Sequence, residues 1–113
     1  KITKNMWNIF TAASSLPDDT RVYILSHIEE NDQGKSKIKT IGKMLDEKIT
    51  LEGMVTICLQ TAVINDNYLF VTKNNGNNTV KTPFGMFESE HIENDLNETD
   101  RIICEYYNIG AAQ

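Results

Sequence analysis

The fold of this chain depends on residues 21–30, which read Arg-Val-Tyr-Ile-Leu-Ser-His-Ile-Glu-Glu. Val, Tyr and Ile favour strands, and the nearly continuous apolar run over residues 22–25 is typical of a strand buried on both faces of a parallel sheet. The run ends at Ser26-His27 and then turns acidic. Because ligands of open α/β sheets bind beyond the carboxyl ends of the strands, Ser26 and His27 are the first candidates for a functional site.

Helical and strand-like patterns alternate along the chain. Apolar residues recur at helical spacing over residues 2–15 and again over residues 41–49. A second apolar run at residues 54–64 predicts a strand parallel to the first, since a helical segment separates the two. A turn at residues 65–67 and a strand over residues 68–72 then predict an antiparallel hairpin.

The last part of the chain combines a polar loop with a helix. Residues 95–107 predict an amphipathic helix with Asn94 or Asp95 as its N-cap, and the tail at residues 108–113 is expected to fray. The asparagine-rich loop over residues 73–87 ends in an apolar cluster that should pack on the core, and this cluster consists of Phe84, Met86 and Phe87.

Composition indicates one small α/β domain. The chain has 113 residues, 40% of them hydrophobic, and its net charge of −5 argues against a protein that coats duplex DNA non-specifically. Cys58 and Cys104 are expected to be free thiols in a reducing cytosol. The sequence has no apolar run of membrane-spanning length, so a cytoplasmic location away from membranes is expected.

Charge and spacing narrow the possible chemistry. Residues 35–48 hold five of the nine lysines, which are explained either by a solvated face or by a local anion site. Ser26 and His27 would point to opposite faces of a strand, so they cannot form a nucleophile–base pair. The two histidines and two cysteines are scattered singly, so no metal site is expected. No Gly-x-x-x-x-Gly-Lys-Ser/Thr motif occurs, so these residues alone lack the usual phosphate-binding loop.

Several stretches of the chain carry a family resemblance when they are taken together. They are residues 22–27, 40–46 (Thr-Ile-Gly-Lys-Met-Leu-Asp), 49–53 (Ile-Thr-Leu-Glu-Gly), 81–88 (Lys-Thr-Pro-Phe-Gly-Met-Phe-Glu), 94–96 and 105–107. In order and spacing they resemble the carboxyl-terminal half of phage-encoded RecA-like, AAA-type P-loop ATP-binding proteins of the Sak-type recombination group. The resemblance implies a partial RecA-like three-layer sandwich, with a parallel strand pair, an antiparallel hairpin and flanking helices.

The resemblance also implies partners and cofactors. An upstream nucleotide-binding half would carry the phosphate-binding loop and the magnesium-binding strand, so ATP and magnesium would belong to the complete protein. The chain would not hydrolyse ATP alone and would bind no cofactor alone. The complete protein would be a homo-oligomer acting in DNA recombination or replication in the cytoplasm of a bacterial host.

Site residues follow from the same resemblance. Ser26 and His27 would sense the terminal phosphate, unless His27 merely satisfies a loop carbonyl. Lys73 or Lys81 would reach the phosphates of a neighbouring subunit, although Asn stands where an arginine is expected shortly after Lys73.

Four lysines would contact single-stranded DNA through its phosphates, although no aromatic residue is interleaved to stack on bases. They are Lys35, Lys37, Lys39 and Lys43. The alternative function is a stand-alone protein-interaction module, an inhibitor or scaffold without nucleotide chemistry.

Overall fold

A computed structural model describes residues 2–38 and 51–109, and the chain divides into two compact units, residues 1–55 and 56–113. The described elements confirm the α/β class. The first unit contains helix α1 (Ile2–Ser14), strands β1 (Ile28–Glu30) and β2 (Ser36–Ile38), and a short 3-10 helix (Leu51–Met54). The second unit contains strands β3 (Gln60–Ile64), β4 (Asn67–Val71) and β5 (His91–Glu93), and helix α2 (Leu96–Tyr107).

Helix α1 confirms, to within one residue, the helix that the apolar spacing predicts over residues 2–15. Phe10 is buried and packs against Ile38, Met54 and Val55. The helix ends in a turn where the Leu16 amide donates to the Ala13 carbonyl at 3.3 Å. Pro17 follows and disfavours further helix.

Residues 22–25 differ from the prediction. They form no strand, and their side chains are between 40% and 85% exposed. A strand needs a neighbour for its backbone hydrogen bonds, and no strand of the described residues pairs with this run. The predicted buried strand is therefore wrong, and so is the predicted parallel pair, because both described sheets are antiparallel.

The first strand begins only after His27, in a short hairpin. Strands β1 and β2 pair with Ile28 opposite Ile38 and Glu29 opposite Lys37. The side chain of Asn31 organises the tip, because its Oδ1 accepts from the amides of Gln33 and Lys35 at 2.8 and 3.0 Å. Residues 31–36 thus form the turn of a hairpin and the start of its second strand.

The second unit is built on a three-stranded sheet in the order β3-β4-β5. Asn65 and Asp66 connect β3 to β4 in a two-residue loop, both at positive φ (52° and 67°), as a type I′ hairpin requires. The predicted hairpin is confirmed, although β3 is shorter than the predicted strand over residues 54–64. Strand β5 was not predicted.

Helix α2 confirms the predicted helix and identifies its cap. Asp95 Oδ1 accepts from the amides of Asn97 and Glu98 at 2.9 and 3.2 Å, so Asp95 rather than Asn94 is the N-cap. Ile103 lies in a core cluster with Met86 and Phe87. The predicted helix over residues 41–49 and the end of the predicted tail lie outside the described residues.

Candidate functional site

Ser26 and His27 are both exposed and lie immediately before β1. Their predicted position at the carboxyl end of a buried strand is wrong, because residues 22–25 form no strand. Their role as a phosphate sensor stays a prediction.

Two of the four lysines predicted to contact DNA belong to the β1–β2 hairpin. Lys35 is exposed at its turn, and Lys37 lies in β2 directly across from Glu29. Lys39 and Lys43 lie outside the described residues. Because Glu29 and Glu30 are exposed on β1, the described hairpin presents charges of both signs rather than a purely basic stripe.

The long loop between β4 and β5 is anchored at its start by a buried threonine. The Thr72 hydroxyl donates to the carbonyls of Ser89 and Glu90, the latter at 3.1 Å, and the Thr72 carbonyl accepts from the Thr82 hydroxyl at 3.0 Å. A second anchor is a two-bond bridge between the backbones of Cys58 and Lys81. The loop is therefore attached to the sheet at several points.

Lys73 contributes to this anchoring. Its ammonium donates to the carbonyl of Phe87 at 2.9 Å, which closes the base of the loop. A role in trans would require this bond to be exchanged for a phosphate of a neighbouring subunit. Lys81 is exposed on the same loop, so the structure places both candidate cations on one anchored segment.

Asparagine side chains hold the tip of the loop. Asn74 Nδ2 donates to the carbonyl of Val80 at 2.9 Å, while its Oδ1 accepts from the Gly76 amide at 2.7 Å. Asn75 Oδ1 accepts from the Asn77 amide, also at 2.7 Å. These bonds give a polar loop a defined conformation without an apolar core of its own.

Phe84 lies in solvent, although the sequence predicts that it packs on the core with Met86 and Phe87. Met86 and Phe87 are buried as predicted, but Phe84 is 98% exposed. Its backbone is fixed, because the Tyr106 hydroxyl donates to the Phe84 carbonyl at 2.7 Å and Gly85 follows at φ 79°. The Pro83 and Gly85 that flank it are turn residues, and this signal could have placed Phe84 at the tip of a turn.

Phe84 is joined to Tyr106 by the bond between its backbone carbonyl and the tyrosine hydroxyl, and Phe84, Tyr106 and Tyr107 are together called the aromatic patch. The two tyrosine rings pack edge to face with their centroids 5.0 Å apart, and both are partly exposed. Aromatic side chains are enriched at protein–protein interfaces. The aromatic patch is therefore a candidate interaction surface.

The second unit that carries the patch is acidic. Residues 56–113 contain three basic residues and eight acidic ones. On α2, Arg101 donates to the carboxylates of Glu98 and Glu105. The hydrogen bond from Arg101 lowers the pKa of Glu98 below its ordinary value, and the same bond raises the pKa of Arg101.

Comparisons with protein-family models, with curated proteins and with solved structures find no significant match for the chain. Among the described residues, no group of histidine, cysteine and acidic side chains could hold a metal ion. No helix in that part of the chain is long and apolar enough to cross a membrane.

Proposed function

We propose that the chain is the carboxyl-terminal half of a phage RecA-like ATP-binding protein that acts in DNA recombination or replication. The observation that supports this proposal best is the exposure of residues 22–25. Residues 22–25 are apolar, their exposed fractions lie between 40% and 85%, and a run of exposed apolar side chains often marks an interaction surface. A nucleotide-binding half would cover this run and bury it.

Ser26 and His27 directly follow the run, so they would lie at the edge of that contact. A hydroxyl and an imidazole N–H there can donate to phosphate oxygens, which stabilises the charge that develops in phosphoryl transfer. ATP would supply the phosphoryl group when it is bound, and the upstream half, to which the resemblance gives the magnesium-binding strand, would hold magnesium.

The lysines have separate roles in this proposal. In a homo-oligomer, Lys73 or Lys81 would contribute a point charge to the neighbouring subunit's phosphates. Lys35 and Lys37, with Lys39 and Lys43, would contact the phosphates of single-stranded DNA. Because phosphate contacts release counterions, this DNA affinity should fall steeply as salt rises.

The test mixes the chain with the polypeptide encoded directly upstream. Titration calorimetry with ATP and magnesium should give no binding by the chain alone and restored hydrolysis in the mixture, lost in His27→Ala. Hydrogen exchange of residues 22–25 should become slow on mixing. Leu25→Asp should prevent this slowing, whereas Leu16→Asp, at another exposed leucine, should not. Continued fast exchange with no hydrolysis would reject the proposal.

A second candidate function is a protein-interaction module, and the aromatic patch favours it. Phe84 projects fully into solvent from a backbone held by Tyr106 and by a turn in which the Met86 amide donates to the Pro83 carbonyl. Because the backbone is already held there, binding would have to order the side chain alone. The acidic surroundings argue against a nucleic acid as the partner.

The two candidate functions require different residues: His27 for the ATP-binding function and Phe84 for the interaction module. Sedimentation velocity of the intact chain should reveal self-association that Phe84→Ala removes and Tyr68→Ala, at an exposed aromatic residue of β4, retains. Chains that stay monomeric at every concentration would exclude self-association through the patch. Restored ATP hydrolysis in the mixture with Phe84→Ala would favour the first function over the second.

A further inference from the structure

Asn75 is the only asparagine of the chain that is followed by glycine. Because glycine has no side chain, its backbone nitrogen can approach the side-chain carbonyl carbon of the preceding residue closely. Asn75 and Gly76 are both exposed. Nothing lies within 4 Å of the position where a Cβ of Gly76 would stand. Water and base therefore have access to both residues.

Two hydrogen bonds of the loop act on the two groups that would react. The Asn77 amide donates to Asn75 Oδ1 at 2.7 Å, so it polarises the side-chain carbonyl and would stabilise negative charge developing on that oxygen. The Gly76 amide donates to Asn74 Oδ1 at 2.7 Å. This bond fixes the position of the Gly76 nitrogen, whose proton is removed by hydroxide or a buffer base from solution, because a side-chain amide oxygen is too weak a base to take it.

We propose that Asn75 is a site of spontaneous deamidation, at which the backbone nitrogen of Gly76 attacks Cγ of Asn75. The N–Cγ bond forms and the Cγ–Nδ2 bond breaks. Nδ2 leaves as ammonia, and the proton lost from the Gly76 nitrogen completes it. Water then opens the cyclic imide at either carbonyl carbon and yields aspartate or isoaspartate. No oxidant or reductant is needed.

The product changes the charge of the loop. It places a carboxylate between Lys73 and Lys81, the two lysines of the loop, and isoaspartate also adds one carbon to the backbone there. Lys73 and Asn74 hold this loop through bonds to Phe87 and Val80. The modification therefore acts on a segment with defined contacts, and it does not depend on the function proposed above.

The experiment incubates the intact chain at mildly alkaline pH and follows each asparagine by peptide mapping with mass spectrometry. Isoaspartate is counted with an isoaspartyl methyltransferase. Asn75 should be converted before Asn74, Asn77 and Asn78. It should also be converted about tenfold faster in the folded chain than in a synthetic peptide of residues 70–81, because a preformed hydrogen bond contributes about that factor.

Two variants at one position isolate the role of the Asn77 amide. Asn77→Pro removes the N–H donor and should slow conversion of Asn75 about tenfold, whereas Asn77→Ala keeps the donor and should not. Thermal melting should confirm that both variants fold. Conversion of Asn75 no faster than that of Asn74, Asn77 and Asn78 in the folded chain would overturn the proposal. So would an Asn75 amide that persists in the folded chain while the peptide is converted.

Discussion

Two four-residue runs of nearly the same composition differ in this molecule, because one forms a strand and the other does not. Residues 22–25 read Val-Tyr-Ile-Leu and residues 68–71 read Tyr-Leu-Phe-Val. The second run lies in β4, the central strand of a sheet, with Phe70 buried. The first run is exposed and belongs to no strand of the described part of the chain. Apolar strand-forming residues are therefore not sufficient for a strand.

The difference lies in the distance along the chain to a pairing partner. Strand β4 meets β3 across the two residues Asn65 and Asp66, so closing the hairpin costs little chain entropy. Residues 22–25 lie in no such hairpin, because the strands that follow them, β1 and β2, pair with each other. A run without a nearby pairing partner depends on distant segments for its burial, and in the described part of the chain residues 22–25 stay exposed.

The largest expected effect comes from truncating one apolar side chain in each run. Phe70→Ala should cost about 3–5 kcal/mol in the free energy of unfolding, because it leaves a cavity beside a central strand. Leu25→Ala should change it by no more than about 0.5 kcal/mol, because the side chain already lies in solvent. Urea unfolding followed by circular dichroism measures both. Equal losses would mean that residues 22–25 are buried after all.

Local signals in the sequence predicted the second unit better than the first. The β3–β4 hairpin and helix α2 follow from an apolar pattern, a turn and a cap that lie within a few residues of each other. Strand β5 was missed because three residues, His-Ile-Glu, carry too little pattern. The strand at residues 22–25 was predicted wrongly because periodicity describes a segment and says nothing of its partners.

The site was predicted less well than the fold. The sequence singled out Lys73 as a cation, but its bond to the Phe87 carbonyl depends on how the loop returns to the sheet. Phe84 was assigned to the core by its apolar character, whereas the turn around Pro83 and Gly85 points it into solvent. The contacts of a loop depend on which distant residues come together when it closes, and the composition of the loop does not reveal them.

A second prediction concerns the anchor at the end of β4, the run that does form a strand. Thr72 directly follows β4, and its buried hydroxyl donates to the carbonyls of Ser89 and Glu90. Thr72→Val keeps the shape but leaves those carbonyls without this donor, so we expect a loss of about 1–2 kcal/mol in urea unfolding. Thr61→Val, at an exposed position of β3, is the matched control and should have little effect. A neutral Thr72→Val would show that the hydroxyl does not secure the strand end.

A third prediction tests the helix that packs in the same unit as β4. Asp95 caps α2 by accepting from the amides of Asn97 and Glu98. Asp95→Ala should therefore cost about 1 kcal/mol, measured by the shift in the urea midpoint. Asn94→Ala, one residue earlier and outside the cap, should leave the midpoint nearly unchanged. The reverse order would move the start of the helix and break the assignment of the cap.

The smallest expected effect concerns the charged side chains on the surface of α2. Residues 22–25 carry no charged side chain. The hydrogen bond from Arg101 lowers the pKa of Glu98 in the folded chain, so the carboxylate form is the one that folding favours. The resulting stabilisation is present above the pKa of the unfolded carboxyl and is lost as the pH falls through the lowered folded pKa. An NMR titration of the Glu98 carboxyl should show the lowered pKa, and Arg101→Gln should return it toward the ordinary glutamate value. Because both side chains are exposed, thermal stability should hardly change in that variant. A large loss of stability in Arg101→Gln would mean that surface charge, and not only strand pairing and burial, stabilises the second unit.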